Sequence, residues 1–233
     1  MRTSIVIPAY NEEESIGYVL ARIPDPEQYE IIVVDGGSMD RTAEIAASFG
    51  ATVIQELRRG YGRACAAGVN QAKGEWIVFM DGDGADDPTQ IPELLEPLVA
   101  GQADLVLGSR LAGPIRAGAM PWHQRIGNQL SARLIRILYG VPVTDLSPFR
   151  AVNREKLLSL NMQEMTYGWP TEMMTKALQN HWTLIEIPVN HHPRYGGKSK
   201  ISGTVRGTIL ATYYILLTIL RYAGKGKPDV PGT

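Results

Sequence analysis

A short apolar segment followed at once by acidic residues constrains the fold of this chain more than any other feature. Residues 76–80 (WIVFM) have the pattern of a buried strand, and Asp81, Asp83, Asp86 and Asp87 follow them. Residues two apart in an extended chain share a side, so Asp81 and Asp83 face one site. An isolated Asp-x-Asp is more often a solvated turn, but this pair follows a strand, where open α/β sheets bind ligands. Because carboxylates suit Mg²⁺ or Mn²⁺, we predict a divalent metal site.

Strand-like and helix-like segments alternate through the first half of the chain. This alternation predicts an α/β fold with a mostly parallel sheet and helices on both faces. The strand patterns cover 4–7, 30–34, 52–55, 76–80 and 104–108, and the helix patterns cover 11–22, 40–49, 62–73 and 90–100. After Arg110 come a loop at 111–122, an amphipathic helix over 126–138, a turn at 145–150, helices near 154–160 and 171–179, and a strand at 183–189.

Composition narrows the class of protein. A chain of 233 residues fits one domain with an appended element. Its net charge of −1 provides no overall field for nucleic acid, so no nucleic-acid partner is expected. The single cysteine, Cys65, rules out an internal disulfide, and no signal peptide is visible. We therefore expect a cytoplasmic protein.

The C-terminal region is basic and partly apolar. Residues 187–228 contain no Asp or Glu, and residues 207–220 are uncharged. A helix over 207–220 would be about 21 Å long, which is shorter than the ~30 Å hydrocarbon core of a bilayer. It is either a core helix or a helix lying in the membrane interface. The basic surroundings favour the interface, because anionic lipid attracts Lys and Arg.

Several motifs occur in an order that resembles a known family. The segments 8–13 (PAYNEE), 33–40 (VVDGGSMD) and Asp81-Gly-Asp83 resemble inverting family 2 glycosyltransferases with the GT-A fold. Further on, 108–110 (GSR), 145–150 and 194–200 (RYGGKSK) resemble the polyprenyl-phosphate sugar synthases of the dolichyl-phosphate mannose or glucose synthase type. The resemblance covers roughly residues 3–222.

The resemblance implies a domain layout. Residues 1–203 would form a GT-A catalytic domain, with a nucleotide-sugar half at about 1–110 and an acceptor half at about 111–203. Residues 204–223 would form the apolar membrane-interface helix, and 224–233 a flexible tail.

The resemblance also implies a donor site. Pro8, Tyr10, Glu12 and Asp35 would line the nucleotide pocket, while Asp81 and Asp83 would hold the metal that bridges the sugar diphosphate. Two departures leave specificity open. The family usually has Asp-Asp-Gly-Ser where this chain has 35–38 (DGGS), which leaves both UDP and GDP as donors. Mannose synthases often carry Gln at the position of Ala85, so mannose is not favoured over glucose and one metal ligand is expected to be water.

Breaking a sugar–diphosphate bond requires neutralisation of the leaving phosphates, which metals and arginines provide. Arg110 and Arg125 match phosphate-binding positions of the family. Asp83 and Arg110 are therefore candidate catalytic residues.

The acceptor decides which other residues act. A hydroxyl acceptor needs a general base, for which Asp145 and Glu172 are the candidates. A polyprenyl phosphate is already anionic and instead needs docking groups. The candidates for docking are Arg194, Lys198, Ser199 and Lys200. Asp145 could equally be structural, paired with Arg150.

We predict a metal-dependent enzyme that moves a hexose from a UDP- or GDP-sugar to a polyprenyl phosphate at the cytoplasmic membrane surface. One alternative is a glycosyltransferase of the same fold with a hydroxyl acceptor, and another is a non-catalytic nucleotide-sugar-binding protein. The adjacent histidines at 191–192 lack a Cys or acidic partner at zinc-ligand spacing, so no zinc site is predicted. The sequence leaves the sugar, the lipid length and the oligomeric state open.

Overall fold

The computed structural model describes residues 2–197 and 205–223. Within these residues the strands form one seven-stranded sheet in the order β3-β2-β1-β4-β6-β5-β7. The sheet spans both expected halves of the chain. The strands are β1 (Thr3–Ala9), β2 (Tyr29–Asp35), β3 (Thr52–Gln55), β4 (Trp76–Phe79), β5 (Leu105–Ser109), β6 (Arg150–Asn153) and β7 (Leu184–Pro188).

The helices follow the predicted alternation, which confirms the α/β fold class. The first helix begins later than predicted, because Asn11 has a φ of 51° and its side chain accepts a hydrogen bond from the Met39 N–H at 2.8 Å. The helices are α1 (Ile16–Ala21), α2 (Thr42–Ser48), α3 (Tyr61–Gln71), α4 (Ile91–Val99), α5 (Trp122–Tyr139), α6 (Arg154–Ser159), α7 (Trp169–Gln179) and α8 (Val205–Ala223).

One strand was not predicted. β6 runs antiparallel between β4 and β5, with Phe79 opposite Arg150 and Trp76 opposite Asn153. The predicted helix near 154–160 is confirmed by α6, but the predicted turn at 145–150 ends in the strand at Arg150, and no structure was predicted for residues 151–153. A four-residue strand that begins with a charged residue has no recognisable apolar run, yet Arg150 is 1 % exposed.

The sheet is buried on both faces. Val6, Ile32 and Val34 point to the layer that contains α3, α5, α7 and part of α8, while Ile5 and Val33 point to the layer that contains α1 and α4. Helices on both faces explain why these parallel strands read as continuous apolar runs rather than as alternating patterns.

The C-terminal helix α8 packs against α5 and α7. Ile219 and Tyr222 are buried in these contacts, whereas Ile209 and Tyr213 on its outer side are 65 % and 58 % exposed. None of the described helices has the length and apolar character needed to cross a membrane. The predicted docking residues Lys198, Ser199 and Lys200 and the tail at 224–233 lie outside the described residues.

Candidate active site

A cavity of about 530 Å³ opens where β1, β2 and β4 end, and we call it the strand-end pocket. Its walls come mainly from the segments that follow β1, β2, β3 and β4. The carboxyl edge of a parallel sheet is the expected ligand site of such a fold. The lining residues are Pro8, Ala9, Tyr10, Glu12, Gly36, Glu56, Arg58, Arg59, Gly60, Tyr61, Ala64, Asp81, Gly82, Asp83, Tyr167 and Arg194.

Asp81 and Asp83 lie together in this pocket, as predicted from their spacing. Asp83 is held by its own turn, since its carboxylate accepts a hydrogen bond from the Ala85 N–H at 2.9 Å. Gly84 makes the turn possible: its φ is +77°, and a Cβ there would lie 2.9 Å from the Cβ of Tyr195. Both constraints favour glycine, because L side chains rarely adopt this backbone conformation.

The charge around Asp81 fits a divalent cation. Burial, together with the nearby charges of Asp83 and Asp86, raises the pKa of Asp81 well above its usual value, and a hydrogen bond from Tyr61 opposes the shift only partly. A cation that binds Asp81 and Asp83 would relieve this repulsion, and carboxylate oxygens suit Mg²⁺ or Mn²⁺. The two aspartates therefore fit such an ion. Among residues 2–197 and 205–223, no three His, Cys, Asp or Glu side chains converge as a complete metal cage, so diphosphate and water oxygens would supply further ligands.

Arg194 is directly bonded to this acidic site. Its guanidinium donates to Asp83 at 3.0 Å and to Glu12, and its Nε donates to the Gly196 carbonyl at 2.7 Å. The sequence assigned Arg194 to the acceptor lipid phosphate, but the structure places it on the wall of the strand-end pocket. It therefore adds positive charge where Asp83 meets the cavity.

The segment after Arg194 is fastened over the Asp81–Asp83 turn. The Tyr195 N–H donates to the Asp83 carbonyl at 2.9 Å, and the Tyr195 ring stacks on Tyr18 with centroids 3.9 Å apart. The Gly197 N–H donates to the Glu14 carboxylate at 2.9 Å. These contacts tie the end of the first large described range to the loop between β1 and α1.

Asp35 does not line the pocket. It is 2 % exposed, and its carboxylate accepts hydrogen bonds from the Ser38 N–H at 3.1 Å and from the Ser38 hydroxyl. Asp35 thus shapes the loop after β2 and does not itself line the cavity. Glu56, which directly follows β3, supplies a carboxylate to the pocket instead.

The segment after β3 was missed by the sequence reasoning. Arg58 forms a two-point ion pair with Glu56, and Arg59 lies over the Tyr10 ring at 5.2 Å from its centroid. Gly60 lets this segment pass close to the loop before α7, because a Cβ there would lie 2.2 Å from the Met165 carbonyl oxygen. The sequence did contain an indication of this role. The segment directly follows a predicted parallel strand, and the carboxyl ends of parallel strands meet at the same edge of the sheet.

Arg110 and Asp145 form a buried ion pair next to the acidic cluster. The Asp145 carboxylate accepts the Arg110 N–H at 2.9 Å and its guanidinium Nε and Nη2 at 2.8 Å each, as well as the Asn128 amide. Burial alone would raise the pKa of Asp145, but the Arg110 charge and these bonds lower it. Asp145 pairs with Arg110 and not with Arg150, whose guanidinium donates to the carbonyls of Ser147 and Pro170.

These contacts argue against Asp145 as the general base. A general base needs an accepting oxygen within reach of the substrate hydroxyl. Both oxygens of Asp145 accept hydrogen bonds from protein donors, and the side chain is fully buried. We assign Asp145 the role of holding Arg110.

Glu172 is also a structural carboxylate. It is fully buried and accepts from the Gln163 and Glu164 N–H groups at 2.9 and 2.6 Å, from the Tyr222 hydroxyl at 2.6 Å, and pairs with Lys176 at 2.8 Å. It joins α7 to α8 and does not line the strand-end pocket. The sequence proposal that Glu172 acts as a base is not supported by this placement.

Two buried titratable groups, Asp86 and His191, lie near the ion pair of Arg110 and Asp145. Asp86 is 3 % exposed, and burial together with the Asp83 charge raises its pKa to about 7. His191 is 5 % exposed, and burial together with the Arg110 charge lowers its pKa to about 4.

The predicted phosphate-binding residue Arg125 is exposed on α5, one turn before Asn128, and does not line the strand-end pocket.

Comparison with known proteins agrees with this geometry. Residues 4–160 match the model of Glycosyl transferase family 2. The chain is 41% identical over 208 residues to an uncharacterised glycosyltransferase from Mycobacterium tuberculosis, covering 89% of this chain and 93% of the relative. It is 36% identical over 197 residues to the dolichyl-phosphate hexose transferase of Haloferax volcanii, covering 83% and 84%.

Solved structures extend the agreement to the fold. Glucosyl-3-phosphoglycerate synthase from Mycobacterium tuberculosis, in complex with Mn²⁺, UDP and phosphoglyceric acid, matches with a TM-score of 0.78 at 25% identity. The match covers 97% of this chain and 79% of that structure. The family model spans well over half of the chain, and the sheet with its strand-end pocket accounts for the motifs. The chain belongs to glycosyl transferase family 2 and is a glycosyltransferase with a GT-A fold.

Proposed function

We propose that this enzyme transfers a hexose from a nucleoside diphosphate sugar to a polyprenyl phosphate, with a divalent cation, at the cytoplasmic face of a membrane. Its relatedness to a dolichyl-phosphate hexose transferase supports the acceptor, and its similarity to a synthase bound to UDP and Mn²⁺ supports the donor and the cation.

The strand-end pocket suits a nucleotide sugar. Its volume of about 530 Å³ lies within the usual range for small-molecule sites. The Tyr10 ring, with the Arg59 guanidinium over it, and the carboxylates of Asp81 and Asp83 all line this pocket. UDP- and GDP-sugars are both candidates.

The observation that carries the choice of acceptor is the state of the two proposed bases. Asp145 is bonded to Arg110 and Asn128, and Glu172 is bonded to Tyr222 and Lys176. A hydroxyl nucleophile would require deprotonation, but a phosphate monoester is already an anion at neutral pH. An anionic acceptor needs no general base. It therefore fits a site in which Asp145 and Glu172 are both engaged in contacts within the protein.

The chemistry is a single displacement. An oxygen of the acceptor phosphate forms a bond to the anomeric carbon while the bond from that carbon to the diphosphate breaks, so the nucleoside diphosphate leaves with the electron pair. Asp81 and Asp83 would hold the cation, which when bound neutralises charge on the diphosphate. Arg194 adds a second positive charge on the pocket wall, and the charge of the buried Arg110 offsets part of the rise in the pKa of Asp81 and Asp86.

Attachment to the membrane surface is proposed for α8. Its buried side contacts α5 and α7, while its outer side exposes large apolar residues to solvent. Exposed contiguous apolar surface marks interaction sites. A helix lying flat in the membrane interface meets this description.

A hydroxyl acceptor is the second candidate, and Asp86 is the observation that favours it. Its pKa of about 7 is close to the value that suits a general base. Asp86 does not line the strand-end pocket, however, and its raised pKa reflects its burial and the unrelieved charge of Asp83. A bound cation would lower it.

One assay tests the proposal. Purified enzyme is incubated with UDP- and GDP-hexoses and Mn²⁺, and with detergent-solubilised polyprenyl phosphate, the matching polyprenol, or 3-phosphoglycerate. We expect sugar transfer to polyprenyl phosphate and none to polyprenol. Transfer only to 3-phosphoglycerate would replace the proposal with the hydroxyl-acceptor enzyme.

A further inference from the structure

Helix α5 turns an apolar face outward. Trp122, Ile126, Leu130 and Ile137 are 71 %, 48 %, 54 % and 70 % exposed, and their spacing places them along one side. The opposite side, which includes Ile135, is buried against the sheet. A helix on the surface of a soluble protein normally shows the reverse arrangement.

Helix α8 extends this apolar face. The two helices touch at Gly127, where an added Cβ would lie 2.6 Å from the Thr212 hydroxyl oxygen. Ile209, Tyr213 and Leu220 are exposed on α8. We call the exposed apolar residues of both helices the apolar platform. Patches of this kind on a soluble chain mark contact with a partner or a membrane.

A groove runs along the flank of α5, and we call it the α5 groove. It encloses about 790 Å³. Two of its residues, Arg133 and Arg136, are exposed arginines on α5, and it shares no lining residue with the strand-end pocket. The lining residues are Leu111, Gln129, Ala132, Arg133, Arg136, Ile137, Val143 and Thr144.

No carboxylate of the described residues is bonded to the two arginines of the α5 groove. Neither Arg133 nor Arg136 makes an ion pair with any residue in the described ranges 2–197 and 205–223. Glu186 contacts the lining residue Thr144, but its carboxylate oxygens accept hydrogen bonds from the Thr144 N–H and hydroxyl at 2.9 Å. The groove therefore presents two cations beside apolar walls.

The occupant must combine an anionic head with an apolar body. Ile137 belongs to both the α5 groove and the apolar platform, so a molecule lying on the platform reaches the arginines without crossing polar surface. We propose that the α5 groove binds the phosphate headgroup of an anionic membrane phospholipid and so orients the enzyme on the bilayer. This inference rests on the proposed membrane placement, but not on the identity of the acceptor.

The α5 groove is distinct from the site of the reacting phosphate. The aspartates of the proposed reaction, Asp81 and Asp83, line the strand-end pocket, and neither lines the α5 groove. A structural phospholipid is therefore favoured over the substrate lipid as its occupant.

The test compares full-length wild type with the double variant Arg133→Gln/Arg136→Gln in flotation with phosphatidylcholine vesicles, with and without phosphatidylglycerol. Arg2→Gln/Arg41→Gln is the matched control, because it removes the same charge from exposed positions outside both cavities. We expect the groove variant to bind phosphatidylglycerol vesicles about thirtyfold more weakly than wild type. The control should lose much less, and Arg133→Lys/Arg136→Lys should regain most of the binding.

Three results would overturn the inference. The first is equal loss in the groove variant and the control, which would mean a diffuse charge effect. The second is loss of inorganic-phosphate binding in the groove variant while its binding to phosphatidylglycerol vesicles stays at the wild-type level, which would mean a site for free phosphate. The third is a rise in KM for detergent-solubilised polyprenyl phosphate in the groove variant, which would mean that the groove holds the substrate. Vesicle binding needs no sugar donor. The flotation result can therefore be interpreted even if the proposed transfer reaction does not occur.

Discussion

The guanidinium of Arg194 donates a hydrogen bond to the carboxylate of Asp83 at 3.0 Å, across 111 residues of chain. A protein cation thus contacts the aspartate that is proposed to hold a metal ion. Arg194 and the metal share one carboxylate, and this relationship gives the first prediction.

Replacing Arg194 with Met should tighten Mn²⁺ binding in the absence of nucleotide, because the competing positive charge is removed. We expect several-fold tighter binding by calorimetric titration of Mn²⁺. Arg58→Met is the control, since Arg58 lines the same pocket but pairs with Glu56. Weaker Mn²⁺ binding in Arg194→Met alone would show that the arginine supports the metal site instead of competing with it.

Asp81→Asn and Asp83→Asn should both abolish turnover and the thermal shift produced by Mn²⁺. Their effects on the metal-free protein should differ. The pKa of Asp81 is raised in the folded state, so its ionisation lowers stability as pH rises above the usual aspartate range, and Asn removes this penalty. Asp83→Asn instead loses the pair with Arg194. Thermal unfolding with EDTA near neutral pH should place Asp81→Asn above Asp83→Asn, and the reverse order would contradict the electrostatic argument.

Asp145→Asn should destabilise the enzyme by about 3–5 kcal/mol, because it leaves Arg110 as an uncompensated buried charge. The double variant Asp145→Leu/Arg110→Met should recover part of this loss. Urea unfolding of Asp145→Leu, Arg110→Met and the double variant measures the coupling between the two positions. If Asp145→Asn retains wild-type stability but loses catalysis by 10²-fold or more, Asp145 is a base and the assignment here is wrong.

His191 should make the enzyme sensitive to acid. Its pKa is lowered to about 4 in the folded state from an ordinary value of 6.5. The contribution of neutral His191 to the free energy of unfolding is therefore fully present above about pH 6.5. It is lost as pH falls toward 4, and the total loss is about 3 kcal/mol. His191→Gln should show a shallower decline in the free energy of unfolding between about pH 7 and about pH 4. Parallel curves for the two proteins would rule out His191 as the source.

Tyr222→Phe should weaken the attachment of α8, since it removes the hydroxyl that donates to Glu172 at 2.6 Å. A hydrogen bond to a charged partner contributes about 1.5–3 kcal/mol to the free energy of unfolding. Tyr213→Phe removes the same atom from an exposed position on the same helix and serves as the control. Equal stability of the two variants would mean that Glu172 does not anchor α8.

The sequence predicted the parts of the fold that depend on local pattern. The strands β1, β2 and β4 were found because each is a mostly buried apolar run followed by a turn at the ligand side of the sheet, as in residues 76–83. β6 was missed because its first residue, Arg150, is charged and its strand contacts come from β4 and β5. Periodicity also could not tell that the apolar residues of α5, such as Ile126 and Leu130, face outward.

In the candidate site, too, the residues that depend on local pattern were predicted, and the roles that depend on distant contacts were not. Pro8, Tyr10 and the Asp81–Asp83 pair line the strand-end pocket because strand ends converge at one edge of the sheet. The roles of Asp145 and Glu172 depend instead on partners distant in sequence, such as Arg110 at 35 residues and Tyr222 at 50 residues. Chemistry of the side chain alone suggested a base in both cases, and only the contacts showed that the carboxylates are already engaged.

The buried pair of Arg110 and Asp145 has a consequence for the history of the family. A lineage that exchanges only one member passes through a protein with an unpaired charge in its interior, which selection removes. The two positions should consequently be inherited as a unit, both ionic or both neutral, even where the surrounding loops diverge. An aligned set of relatives would reveal this as correlated substitution at columns 35 residues apart.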